Sequence, residues 1–175
     1  MEYFHIKQDH RVSDYPKFAN ASVLKEIETQ KYVHCKSKNQ KGSFGYVALP
    51  FMESPVFIVS KALKELFSAY QEGSAFYPFF TTDIDGKGLP YYVFRPLELD
   101  CLSDETEHLP MAGLKKIVLD SKKVGSHKIF QIGGVLGRYL IVDLEILELM
   151  LYNGIHPVLF EPVGLSRRGE GVVHG

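Results

Sequence analysis

Two stretches of this 175-residue chain follow one plan, and that echo limits the fold more than any other feature. VFIVSKALKELFSAYQEGSAFYPFF, from Val56, and YLIVDLEILELMLYNGIHPVLFEPV, from Tyr139, each pass from an apolar run through a polar residue into a helical period, then a glycine, then a second run rich in apolar and aromatic residues. Each predicts strand, helix, strand. Ser60 and Asp143 stand where a side-chain oxygen accepts from the first free amides of a helix. In the first helix Ala62, Leu63, Leu66, Phe67 and Tyr70 fall on one apolar stripe, with Lys61, Lys64, Glu65 and Gln71 facing water. In the second, Leu144, Ile146, Leu147, Leu149, Met150 and Leu151 wrap most of the circumference, which predicts the more deeply buried helix. Gly73 and Gly154 supply the left-handed residue that ends each one.

Around these units the strand signals are EYFHI at the start, then segments 31–35, 44–49, 90–99, 114–120 and 129–133, with a third helix over Ala21–Thr29. Asp85-Gly86 with Gly88, and Gly133-Gly134 with Gly137, mark turns between apolar or aromatic runs. Many short strands, antiparallel or mixed, with two or three helices predict an α+β fold rather than a regular alternation around a parallel sheet. The length suits a single domain over 1–165, followed by a loosely held tail at 166–175, where SRRGEGVVHG has no apolar period.

A formal net charge of −1 argues against holding nucleic acid by bulk electrostatics, which needs a concentrated positive face. Lys36, Lys38 and Lys41 near Phe44 and Tyr46 form a basic, aromatic loop, and such a loop is usually only solvated. MEYFHIKQDH has no basic region leading into an apolar one, and no apolar run reaches the length of a membrane span, so the expected address is the cytoplasm. Cys35 and Cys101 are then expected to stay reduced.

The chemistry concentrates in FRPLELDCLSDETEH, residues 94–108, where five acids, a cysteine and a histidine share fifteen positions and no lysine or arginine follows Arg95 until Lys115. Metal binding is disfavoured: His34 and Cys35 are strand neighbours that point to opposite faces, and Cys101 with His108 has no matching second pair. Cys101 reads better as a small, half-buried residue at a strand end than as a nucleophile awaiting a distant histidine. The glycines of 133–138 precede another strand-like run, which favours a hairpin over a phosphate loop. No cofactor is expected. The acids Glu98, Asp100, Asp104, Glu105 and Glu107 lack an apolar enclosure that would tune a catalytic pair, leaving a solvated loop or a contact surface for a basic partner. Of the aromatic residues Tyr91, Tyr92 and Phe94 before them, alternate ones are expected in the core, with Tyr92 taken as a contact residue beside the acids.

FIVSKALKELFSAY, FYPFF, YYVFRPLELDCLSDE, KKIVLDSKKVGSHKIFQIGG and YLIVDLEILELMLYNGIHPVLFEPV, in that order, resemble the eleventh immunity-protein family of bacterial polymorphic toxin systems, over about residues 50–163. The N-terminal third shares only the aromatic start. The resemblance implies a small cytoplasmic protein, without enzymatic activity, that neutralises a cognate toxin by binding it. It assigns no binding residue by position. Two alternatives stay open: a small hydrolase or transferase built on the acidic 98–108 segment, and a self-associating protein using its aromatic strands.

Overall fold

A computed structural model describes residues 1–13, 15–30, 32–36, 48–82, 86 and 88–166. The first half of the chain forms β1 (Tyr3–Lys7), a 3₁₀ helix (Ala21–Thr29), β2 (His34–Lys36), β3 (Phe51–Met52), β4 (Ile58–Ser60), α1 (Lys61–Tyr70), β5 (Ala75–Thr82) and β6 (Gly88–Arg95). There follow β7 (Glu98–Leu99), β8 (Glu107–Leu109), β9 (Gly113–Lys116), β10 (Val118–Asp120) and the short α2 (Ser121–Val124). Last come β11 (Ile129–Ile132), β12 (Leu140–Asp143), α3 (Leu144–Tyr152) and β13 (Leu159–Ser166). The class is α+β. Within it the chain divides into two compact units that are each discontinuous in sequence. One holds residues 1–6, 96–148 and from 160 onward; the other holds 7–95 and 149–159. No helix among the described residues is long and apolar enough to cross a membrane.

The echo in the sequence is an echo in topology. The five-stranded sheet runs β2-β5-β6-β4-β3, and the six-stranded sheet runs β10-β13-β1-β12-β11 with β7 added at its edge. In each, an outer strand lies parallel to the strand that follows the helix, β2 with β5 and β10 with β13. A central strand comes next, β6 or β1, and the strand that precedes the helix pairs antiparallel to it. That strand in turn pairs antiparallel with its predecessor in the chain, β3 or β11. The two sheets differ in where the central strand comes from. β6 follows β5 directly, whereas β1 is supplied by residues 3–7.

The polar residue ending β4 and β12 turns each strand into a helix. Ser60 Oγ accepts from the Leu63 amide at 3.3 Å, and Asp143 Oδ1 accepts from the Ile146 amide at 3.0 Å. Gly154, at φ +65°, ends α3 as the pattern predicts: its amide donates to Leu151 O at 3.1 Å and the Ile155 amide to Met150 O at 2.9 Å. α1 stops earlier than expected. Gln71 after it is extended, and Gly73 at φ +81° forms the following turn.

The core of the five-stranded unit gathers Phe18, Leu24, Ile27, Val33, Met52, Ile58, Phe79, Tyr91 and Val93. Leu63 and Phe67 cover its sheet from α1, with the Phe67 ring 5.3 Å from that of Phe94. The stripe is narrower than predicted, since Ala62 and Tyr70 are exposed. Arg95 closes this unit by donating to Glu28 Oε1 at 2.6 Å and to Lys25 O at 3.0 Å. The six-stranded unit packs Tyr3, Cys101, Leu119, Val124, Phe130, Ile132 and Ile141. In α3, Ile146, Leu147 and Met150 are buried as predicted, but Leu151 is exposed because the covered arc ends short of it.

Other expectations are corrected. The segment 90–99 is two strands in two sheets, broken at Pro96, whose nitrogen has no hydrogen to donate. The segment 114–120 breaks at Ile117 into β9 and β10, and α2 after it was not foreseen. Asp120 caps that turn, its Oδ1 accepting from the Lys122 amide at 2.9 Å. The third helix expected over residues 21–29 is present with those bounds and is of 3₁₀ type: the Val23 and Gln30 amides bond three residues back, and Glu26 leaves helical geometry. The strand placed at 31–35 spans His34–Lys36. That placed at 44–49 falls mostly outside the described residues, as does Asp85, and Ala48 and Leu49 are not in a strand. Ser166, placed in the tail, completes β13 opposite Asp120; the rest of the tail lies outside the described residues.

Ser60→Ala should lower the unfolding free energy by about 1 kcal/mol and Asp143→Ala by up to about 2 kcal/mol, measured by urea unfolding near neutral pH. Burial holds the Asp143 carboxyl above its ordinary value of 3.8, against the pull of the Ile146 amide and Lys128. Its contribution to stability is therefore full below that value and is lost as pH rises through the higher folded pKa. Asp143→Asn keeps the acceptor without the titration, so its urea midpoint should gain on that of the parent between about pH 3 and pH 7.

Candidate functional site

The acidic segment is built on β10. β7 is fixed to β11, with the Gln131 amide donating to Leu97 O and the Gly133 amide to Leu99 O, both at 2.8 Å. Beyond it the Asp120 amide donates to Cys101 O at 2.8 Å and the Ser103 amide to Val118 O at 2.9 Å. Thr106 Oγ1 donates to Val118 O at 2.9 Å and accepts from the Val118 amide at 3.1 Å. Cys101 and Ser103 take the inward positions and are buried, which turns Asp100 and Asp104 out. The turn at Asp104-Glu105 is closed by the Thr106 amide on Ser103 O at 3.0 Å and the Glu105 amide on Ser103 Oγ at 3.3 Å. Asp100, Asp104, Glu105 and Glu107 are all exposed, displayed from a backbone that is tied down.

Lysines absent from the segment in sequence reach it in space. A bulge in the β8–β9 pair leaves Lys115 unmatched opposite Glu107 and His108. Its Nζ donates to Glu107 Oε2 at 2.8 Å, which holds that carboxyl below the usual carboxylate range and raises the lysine. Lys123 places its Nζ 3.9 Å from Asp100 and donates to Leu102 O at 3.0 Å. Glu105 Oε1 accepts from Ser166 Oγ at 2.9 Å. Exposed pairs of this kind are worth little and exchange readily for other partners. Lysines therefore reach the acids on both sides of the Asp104-Glu105 turn, through exposed pairs that other cations can displace.

Cys101 is fully buried, and burial, with Asp100 nearby, pushes its thiol up to about 11. Cys35 in the other unit is likewise pushed to about 11 by burial. Cys101 is thus more deeply buried than the half-buried position expected of it, inside the core of the six-stranded unit. Among the described residues no three His, Cys, Asp or Glu side chains gather as metal ligands would. Gly133–Arg138 is the connection of the antiparallel β11–β12 pair, as the turn residues predict.

Tyr92 is carried by a different unit from the acids. It lies on β6 in the five-stranded sheet, half-buried, with Lys64 Nζ 5.5 Å from its ring centre, while the four acids belong to the other unit. Tyr91 and Phe94 are buried in their own unit and leave no contact surface. Of the basic loop only Lys36 is described, exposed at the end of β2; Lys38, Lys41, Phe44 and Tyr46 lie outside the described residues.

One feature went unread in the sequence. Leu109, Met111 and Leu136 are exposed apolar side chains at two adjacent tips, the β8–β9 turn and the β11–β12 connection. An open depression between the tips is lined by His108, Leu109, Gly113, Leu114, Val135 and Leu136, together with Gly134. Tyr139 holds the tips together: its hydroxyl accepts from the Leu114 amide at 2.8 Å. A Cβ on Gly113 would lie 2.3 Å from that hydroxyl and 3.1 Å from Leu136 O, and the φ of +95° suits glycine alone. Apolar residues inside a Pro-Met-Ala-Gly turn were the available signal.

Gly113→Ala should destabilise by about 1–3 kcal/mol, and Tyr139→Phe should cost about 1 kcal/mol by leaving the Leu114 amide unpaired. Combining them removes the clashing hydroxyl, so the double variant should lose less than the sum of the two in urea unfolding.

No protein-family model matches the chain, and no curated protein matches it.

Proposed function

We propose that this chain is a cytoplasmic immunity protein that binds a cognate bacterial toxin and occludes its active cleft. The observation that carries the reading is the outward display of Asp100, Asp104, Glu105 and Glu107 from backbone bonded to β10. A toxin that acts on nucleic acid or nucleotides needs a cationic cleft, and a fixed row of carboxylates is the complementary shape of charge. The exposed pair of Glu107 with Lys115 and the approach of Lys123 to Asp100 yield to a partner's cations at small cost. An interface of ordinary size, roughly 1,600 Å² in total, extends well beyond this segment. The resemblance read in the sequence over about residues 50–163 points the same way, although no family model matches the chain.

Catalysis by the segment needs two titratable groups aimed at a common point inside a pocket. The four acids point to solvent, and none lines the depression between the neighbouring tips, which favours capture over chemistry.

Asp104→Lys, Glu105→Lys and Glu107→Lys together should slow association with a cognate toxin domain, sought in the neighbouring reading frames, by at least about tenfold at low ionic strength, and flatten the salt dependence. Surface-immobilised kinetics at low and high salt read both. Unchanged association with an intact circular dichroism spectrum removes the acidic segment from the mechanism.

A further inference from the structure

We propose that the paired tips form a socket for a single apolar side chain, carried on the basic face of the toxin that the acidic segment attracts. The inference rests on the capture reading above and names what holds the partner once charge has delivered it. Three observations point to it.

The apolar exposure is extreme. Met111 is 96% exposed, Leu136 66% and Leu109 41%, on two turns that flank one depression. A lone exposed leucine is unremarkable on a protein surface, but Leu109 and Leu136 lining one depression, with Met111 exposed on the adjoining turn, are the pattern of an interface core.

The support is stiff. Met111 holds φ +57°, the left-handed region that a non-glycine residue adopts at a cost, and among the described residues no other non-glycine does so. The turn is anchored by the Tyr139 hydroxyl on the Leu114 amide and by the packing of Gly113 against that hydroxyl and Leu136 O. Apolar groups held in place lose little freedom on binding, which suits an anchor.

The charge is continuous with it. Leu109 ends the strand that begins at Glu107, and the Asp104-Glu105 turn lies directly before that strand. A partner whose cations meet the acids brings its neighbouring side chains over the tips. Its chemistry is therefore a basic surface bearing one protruding aliphatic or aromatic residue. Self-association is the weaker reading, because three side chains and a shallow depression offer far less than the roughly 1,000 Å² that a stable dimer needs.

The test compares the parent chain with Met111→Gln/Leu136→Gln and with Asp104→Lys/Glu105→Lys. All are full-length and checked by circular dichroism, and each is measured against the same purified cognate toxin domain, sought in the neighbouring reading frames. Met111→Gly, which removes the side chain and relieves the backbone, is the second variant should the pair fold poorly. The apolar variants should raise the dissociation rate at least about tenfold and leave association within about twofold, while the charge variant does the reverse. An unchanged dissociation rate in the apolar variants overturns the socket and leaves charge capture standing. Failure of the parent chain to bind the domain overturns both. A dimer of the parent chain in light scattering that the apolar variants abolish assigns the tips to a second copy and overturns the socket.

Discussion

Val118 is the point from which the acidic face hangs. Its carbonyl accepts from the Ser103 amide and the Thr106 hydroxyl, and its amide donates back to the same hydroxyl. These bonds give the irregular stretch between β7 and β8 the fixity of a strand, with an isolated bridge from Leu102 to Leu119. Cys101 is buried beneath the segment and Asp104 is exposed above it because of this attachment. Without it the same residues would be the solvated acidic loop that their composition suggests. The difference between a solvated loop and a docking surface is order, since a surface already ordered gives up less freedom when a partner arrives.

Local signals were legible and long-range ones were not. Ser60, Asp143 and Gly154 act through bonds to amides and carbonyls a few residues away, so sequence spacing is enough to place them. The echo between 56–80 and 139–163 was readable for the same reason, as a repeated order of short-range patterns. The break at Pro96 depends on the two sheets that β6 and β7 join, which no local pattern expresses. Lys115 and Lys123 reach the acids through the β8–β9 bulge and a four-residue helix, so the segment looked more purely acidic in one dimension than it is in three. The apolar tips were missed because each is unexceptional until Tyr139 brings them together. Tyr92 was grouped with the acids by nearness along the chain, and the fold assigns it to another sheet.

The two sheets show one arrangement reached by two chain paths. Both place the strands flanking a helix on either side of a central strand, and both add a parallel strand outside one and an antiparallel strand outside the other. The central strand of each sheet is thereby paired on both sides. The edges of the two sheets are where they diverge: β7 extends only one of them, and the acidic segment follows directly from that added strand.

Supplying β1 from residues 3–7 also orders events in time. The five-stranded sheet is complete in strands once Arg95 has been made, from neighbours along the chain. The six-stranded sheet must wait, because β1 meets its first pairing partner only when Leu140–Asp143 emerges. During synthesis β1 is therefore made long before either strand that pairs with it, whereas the five-stranded sheet draws its strands from neighbours along the chain.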